Sequence, residues 1–330
     1  MMINKEKLPS VLGIGNALTD ILFRLEEDTL LETFGLTRGS MTLVDATLSK
    51  TIFDAVGGKY EISTGGSAAN TIRSLAGLGG SCGYLGKVGD DQLGKIFKQK
   101  FEKQGIKTHL ALSEKETGRV MALVSNDSER TMATYLGAAA DLTPADFSKP
   151  LFSGYHYLYM EGYLVQNHEL IKTGFELAKS AGLKTAIDLA SFNVVEANLA
   201  FLKELVYNTV DIVFANEEES YAFTGKSPEN ALDEIAGMCE LAIVKLGRDG
   251  SVIKQGNGKV KTGIFKANAI DTTGAGDSYA AGFLYGLTSG FDLEKCGKIA
   301  AFVSSKVVEI MGANLPDTAW EEINAKIEKM

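Results

Sequence analysis

The residues Asp271-Thr272-Thr273-Gly274-Ala275-Gly276-Asp277 stand directly ahead of a helical pattern whose apolar positions include Ala280, Phe283 and Leu284. Three small residues at a helix start let the backbone approach a ligand closely. Their N–H groups point outward at the positive end of the helix dipole, which makes a site for an anion. Asp277 falls at or beside the N-cap, where an isolated Asp is an ordinary capping residue. Next to an anion site the carboxylate can do more: it can accept a hydroxyl proton while the amides hold the charge of a phosphoryl group in transfer. Gly274, Ala275, Gly276 and Asp277 are therefore the candidate catalytic set.

Four further segments carry chemistry less distinctly. Gly65-Gly66-Ser67-Ala68-Ala69-Asn70 places two glycines and small residues at a helix start, either as a capped turn or as a helix terminus with Asn70 facing a polyol. Gly86 to Gly94 reads as a loop with ordinary caps. Asn216-Glu217-Glu218-Glu219 follows the strand-like run 212–215, and the space just past a strand's C-terminal end is where α/β sheets bind ligands. Glu219 there can support Mg2+ through water, or the three glutamates simply complement the helix dipole. Val244-Lys245-Leu246-Gly247-Arg248-Asp249-Gly250 is a strand, a glycine turn and a second strand, a plain hairpin or a turn beneath a nucleotide. Two general nucleotide motifs fail. Gly225-Lys226-Ser227 has the tail of a Walker A loop but Ser220 at its first glycine position, and Gly13-Ile14-Gly15 continues into Asn16-Ala17-Leu18 rather than GxGxxG.

The elements that must position these residues alternate. Strand-like runs are expected at 11–15, 18–25, 41–44, 82–85, 155–160, 184–188, 211–215, 241–246 and 263–270. Helical patterns are expected at 67–78, 91–104, 168–181, 198–208, 217–224, 278–287 and 293–310. A hairpin is expected across 117–135. Strands alternating with helices of this size mean βαβ units, hence an α/β class with a doubly wound, mainly parallel sheet. The expected division is a core of 1–15, 65–107 and 141–330, with a small β-rich piece from 16–64 and 108–140.

Composition narrows the functions. The net charge is −9 and 45% of the 330 residues are hydrophobic, which excludes wholesale disorder and argues against nucleic-acid or membrane-surface binding. No stretch of ~18 apolar residues spans a membrane, and the N-terminal residues lack the apolar core of a leader, so a cytoplasmic location is expected. Cys82, Cys239 and Cys296 form no CxxC, and His109, His156 and His168 form no zinc pattern. The sequon Asn126-Asp127-Ser128 means little without secretion. Thirty-six glycines exceed the usual ~7%, and many sit in the turns just described.

With these residues in view, the chain resembles the ribokinase (PfkB) family of small-molecule kinases. DTTGAGD is similar to the family's C-terminal signature and the segment from Gly65 through Asn70 to Gly94 to its N-terminal one, with the NxxE element at Asn216 and Glu219 between them. The resemblance implies a ribokinase-like core with a small β-sheet lid, and transfer of the γ-phosphate of ATP to a hydroxymethyl group with Mg2+ present. It makes Asp277 the base and 274–276 the anion hole, and it gives Asn216 and Glu219 to Mg2+ and phosphate. Asp20, Gly65, Gly66 and Asn70, with Asn16, would hold the acceptor. Lys245, Gly247, Gly250 and Asn314 would line the nucleotide pocket. A monovalent cation, often K+ in the family, would sit at Asp271 and Thr273, with Val307, Ile310 and Gly312 as further matching positions, largely through backbone carbonyls.

Gly15-Asn16-Ala17-Leu18-Thr19-Asp20 and Glu129-Arg130-Thr131-Met132 resemble the adenosine kinase-like branch. The acceptor stays open among nucleoside, pentose, hexose and sugar phosphate. Phe23, Phe34 and Tyr135 are candidates to clamp a purine. Arg24, Arg38, Arg119 and Arg130 are candidates to hold a second phosphate. A non-catalytic sugar- or nucleoside-binding regulator is the rival from another class, and a homodimer through the lid is left open.

Overall fold

Short apolar runs such as Val11-Leu12-Gly13-Ile14 are stable as strands only where both sheet faces are covered, and all four of these residues are buried. A computed structural model describes residues 10–57, 59–126 and 129–330. Residues 1–9, 58, 127 and 128 lie outside the described residues, and with them the N-terminal stretch read for a leader and part of the 126–130 turn with its sequon.

The strands are β1 Val11–Ile14, β2 Leu18–Arg24, β3 Met41–Leu43, β4 Glu61–Gly65, β5 Cys82–Gly89, β6 Lys107–Ser113 and β7 Thr117–Val124. They continue as β8 Arg130–Gly137, β9 Tyr157–Glu161, β10 Lys184–Asp188, β11 Ile212–Asn216, β12 Leu241–Lys245, β13 Ser251–Gln255 and β14 Gly258–Thr262. A nine-stranded sheet runs β14-β13-β12-β11-β10-β9-β1-β5-β6. It is parallel from β12 to β6, and β13 and β14 add an antiparallel hairpin.

The α/β class with a doubly wound, mainly parallel sheet is as expected. Helices Ser67–Gly77, Ala275–Thr288, Leu293–Val307 and Asp317–Ile327 pack on one face through residues such as Ile72, Phe283, Ile299 and Trp320. Helices His168–Ser180, Leu199–Thr209, Glu217–Thr224 and Pro228–Ile235 cover the other through Phe175, Leu205, Phe223 and Leu232. The chain passes from β1 to β5 on one side and later to β9 on the other. A crevice therefore opens past the C-terminal ends of β1 and β9, the usual ligand position in such sheets.

The second sheet runs β3-β8-β7-β2-β4. Its outer face is covered by helices Thr29–Thr33 and Ala46–Val56, neither of which the sequence reading anticipated. Asp45 caps the longer one, its Oδ1 accepting from Leu48 N–H at 2.7 Å, and Ile52 is buried against Ile21, Phe23, Met121 and Leu123. Two expectations need correction. The segment 108–113 was grouped with the small sheet, but β6 pairs parallel with β5 from Gly83↔Lys107 to Gly89↔Ser113, so it belongs to the core sheet. The stretch 263–270 is irregular rather than a strand. It turns away beyond the edge strand β14, and Ile270 N–H donates instead to the carbonyl of Val308 at 2.7 Å.

Candidate active site

A continuous cavity of about 1620 Å³ lies between the inner face of the small sheet and the C-terminal ends of the core strands. Asp277 stands at its middle. Helix Ala275–Thr288 begins after Gly274, whose φ of 75° is left-handed. A Cβ on Gly274 would also stand 2.4 Å from that of Ala313, so the turn accepts only glycine without movement. The first amides of this helix open on the cavity beside Ala275 and Gly276, both of which line it. The Asp277 carboxylate is oriented from across the crevice: Ser67 Oγ donates to Oδ1 at 2.7 Å and Asn70 Nδ2 to Oδ2 at 3.0 Å. Burial pushes its pKa up to about 6. Asp277 can thus hold or release a proton near neutral pH beside the first turn of this helix.

Two carboxylates that the sequence reading passed over complete the centre. Asp188 ends β10 and Glu161 ends β9, each an acid closing an apolar strand, which is the signal that could have found them. Asp188 Oδ2 accepts from Lys245 Nζ at 2.8 Å. Lys245, expected in the nucleotide pocket, lines the cavity with Gly247 and Gly250, and a Cβ placed on Gly276 would lie 3.2 Å from its ammonium, so it also stands against the helix start. Glu219 and Asn216 form a reciprocal cap: Asn216 N–H donates to Glu219 Oε2 at 2.8 Å and Glu219 N–H to Asn216 Oδ1 at 2.8 Å. Burial, with Asp188 adding, holds Glu219 at about 7. Asp188, Glu219 and Asp277 line one cavity with Lys245 as the cation among them. That excess of negative charge, on carboxylates too separate to cage an ion directly among the described residues, fits a Mg2+ held through its water.

One end of the cavity lies over β1 and β9. Glu161 is 1% exposed and accepts from Asn16 N–H at 3.0 Å, from Asn16 Nδ2, and from Ala68 N–H at 2.8 Å. Burial lifts it to about 7. Asn16, Asp20, Gly66 and Asn70 line the cavity together. Gly65 stands behind Asp20, where a Cβ would fall 2.0 Å from Asp20 Oδ1. Burial raises Asp20 to about 6, and Asn70 Oδ1 is buried without a partner. Facing these groups is an aliphatic wall of Leu18, Met41, Leu43, Val120, Met132 and Leu136.

The aromatic clamp is corrected here. Successive strand residues point to opposite faces, so Leu18 and Asp20 face the cavity while Phe23 packs outward against Phe53 and Tyr60. Tyr135 and Arg119 also face outward and stack on each other at 5.3 Å, and Phe34 packs in the small sheet's outer core. Arg24, Arg38 and Arg119 do not line the cavity. Arg130 does, but its Nη1 donates to Asp271 Oδ2 at 2.7 Å.

At the other end Gly247, Gly250, Ile264, Phe265 and Thr273 line the cavity. Asn314 does not. It accepts from Arg73 Nη1 and donates to the Thr64 carbonyl at 3.0 Å, pinning β4 to the neighbouring helix. Asp271, Gly274, Val307, Ile310 and Gly312 lie behind the cavity wall rather than on it.

A model of pfkB family carbohydrate kinases matches residues 29–320. A probable sugar kinase from Rhizobium etli has a solved structure 33% identical to this chain, covering 98% of it and 99% of that chain with a TM-score of 0.88. The adenosine kinase structure from Sinorhizobium meliloti is 36% identical, with coverage of 97% and 99% and a TM-score of 0.86. A 5-dehydro-2-deoxygluconokinase from Bacillus subtilis is 28% identical over 280 residues, 80% of this chain and 86% of its own.

Proposed function

We propose, from the premise that this chain belongs to the pfkB family of carbohydrate kinases, that it transfers the γ-phosphoryl group of ATP to the hydroxymethyl group of a nucleoside. The phosphotransferase activity follows from the family. The nucleoside acceptor rests on one observation: a polar edge of Asn16, Asp20 and Asn70 stands opposite an aliphatic wall of Leu18, Met41, Leu43, Val120, Met132 and Leu136. A nucleoside offers hydroxyls to the first and a flat apolar base to the second. A free pentose would leave the wall bare to water, at roughly 25 cal/mol per Å² of apolar surface not covered. A sugar phosphate needs a cation for its second phosphate, and Arg130, the arginine that the small sheet contributes to this cavity, is already paired with Asp271.

The chain's own residues divide the work. Asp20 and the unpartnered Asn70 Oδ1 take ring hydroxyls, which aims the hydroxymethyl oxygen at Asp277. As that oxygen attacks, its proton passes to the Asp277 carboxylate, already oriented by Ser67 and Asn70. The amides following Gly274 and the Lys245 ammonium stabilise charge on the moving phosphoryl group. Asn216 and Glu219 would hold Mg2+ through water, and the ion would neutralise charge on the donor phosphates. The small sheet over the crevice excludes water and so limits hydrolysis of ATP. Gly247 and Gly250 floor the nucleotide's end. ATP as the phosphate donor fits a cytoplasmic setting.

A coupled assay of ADP formation across adenosine-like nucleosides, ribose, fructose, fructose 6-phosphate and 5-dehydro-2-deoxygluconate tests this reading. The highest kcat/KM is expected for a nucleoside. A free sugar, sugar acid or sugar phosphate turned over more efficiently than every nucleoside would refute it.

A further inference from the structure

The ion pair between Arg130 and Asp271 joins the two sheets at the loop that builds the anion site. Arg130 comes from β8 of the small sheet and Asp271 from the core loop three residues before Gly274. Both side chains are 8% exposed. Asp271 Oδ2 accepts from Arg130 Nη1 at 2.7 Å and from Gly312 N–H at 2.7 Å. Its Oδ1 accepts from Thr273 N–H at 2.9 Å and Thr273 Oγ1 at 2.7 Å. A carboxylate has about four lone-pair sites, and all four face a donor here.

Three neighbouring carbonyls are engaged as well. That of Val308 accepts from Ile270 and Asp271 N–H, that of Val307 from Ile310 N–H, and that of Thr272 from Ala275 N–H. A monovalent cation needs oxygen acceptors. The Asp271 carboxylate meets N–H and O–H donors instead, with a guanidinium supplying the positive charge. These residues do not fit the cation that the resemblance led us to expect at Asp271, Thr273 and Gly312.

We infer that Arg130 does the work of that cation. The guanidinium balances Asp271, Asp271 draws in the Thr273 and Gly312 amides, and Ala313 next to Gly312 packs on Gly274. Seating of the small sheet and assembly of the 274–276 turn are thereby one event, with no soluble cation required. Arg130 is a positioning residue in this scheme. The inference relies on the proposed anion-hole role only for what the assembled turn accomplishes.

The test compares tetramethylammonium, Na+ and K+ chlorides at constant ionic strength, reading both turnover and the melting midpoint of the ligand-free protein. Wild type is expected to be indifferent to the cation in both. Arg130→Ala is expected to lose turnover, by up to about 10²-fold, the scale of a misplaced catalytic geometry, and to recover part of it with added guanidinium or K+. Arg130→Lys is expected to keep more turnover than Arg130→Ala. Wild-type turnover several-fold higher in K+ than in tetramethylammonium overturns the inference, and so does an Arg130→Ala protein with unchanged turnover. If Arg130→Ala does not fold, the wild-type panel and Arg130→Lys decide. The melting midpoints stand whatever becomes of the assignment of Asp277 as base.

Discussion

Glu161→Gln probes the acceptor end without touching a residue proposed to react. The carboxylate receives three donors inside the crevice: Asn16 N–H, Asn16 Nδ2 and Ala68 N–H. Glutamine returns one oxygen and one NH2. With the oxygen kept toward Asn16, the NH2 meets the Ala68 N–H, one charge-assisted bond disappears, and a buried donor is left unpaired at a cost of about 1.5–3 kcal/mol. For 330 residues, an unfolding entropy of about 2.1 cal/mol/K per residue makes that a fall of about 2–4 °C in the melting midpoint. The Ala68 amide belongs to the first turn of helix Ser67–Gly77, and Asn16 and Gly66 line the acceptor end. KM for the acceptor should therefore rise by about tenfold, the equivalent of about 1.4 kcal/mol, while KM for ATP holds within about twofold. Because burial sets Glu161 at about 7, acidification should imitate the substitution. Wild-type acceptor KM should climb as pH falls from 8 through that value, and that of the variant should stay level until Asp20 begins to titrate towards about 6. Steady-state kinetics with each substrate varied in turn, from pH 6 to 8, supplies the answer. An unchanged acceptor KM in Glu161→Gln, or a rise confined to KM for ATP, would refute this reasoning.

Asp277→Asn should lower kcat by about 10²–10⁴-fold while the fold survives, since Ser67 and Asn70 can still bond an amide; its pH–rate profile should lose the acid limb that burial places near 6. Gly274→Ala sets a Cβ at a φ of 75° and 2.4 Å from the Ala313 Cβ, so calorimetry should find it destabilised by at least about 1–2 kcal/mol. Ligand-free protein should melt higher at pH 5.5 than at pH 8: Asp20, Glu161, Glu219 and Asp277 all have folded pKa values raised by burial to about 6–7, so the native state binds more protons than the unfolded chain between about pH 4 and 7 and loses stability as pH rises through that window. Light scattering should return the mass of one chain, because helix Ala46–Val56 already covers the outer face of the small sheet; a dimer mass would show that another surface pairs.

Local pattern carried much of this molecule. The alternation of apolar runs and amphipathic segments predicts the doubly wound sheet, because strand and helix periods are properties of consecutive residues. The glycine-rich start of helix Ala275–Thr288 was likewise legible, since the turn, the amides and Asp277 lie within four residues of one another. What stayed hidden spans long separations. Glu161 meets Asn16 across 145 positions, Lys245 meets Asp188 across 57, and Arg130 meets Asp271 across 141. A lone acid ending a strand says nothing of the partner that will face it. The small sheet shows the same division: its strands were visible as apolar runs, but which face would meet the cavity was decided by registry and by a helix packed on the other side. That choice sent Phe23, Tyr135 and Arg119 outward and left an aliphatic wall on the cavity. Residue type and spacing thus determined the proposed phosphoryl-transfer centre, whereas the aliphatic wall of the cavity, the orientation of Asp277 by Ser67 and Asn70, and the charge that balances Asp271 came only with the fold, which alone brings such distant groups within hydrogen-bonding reach.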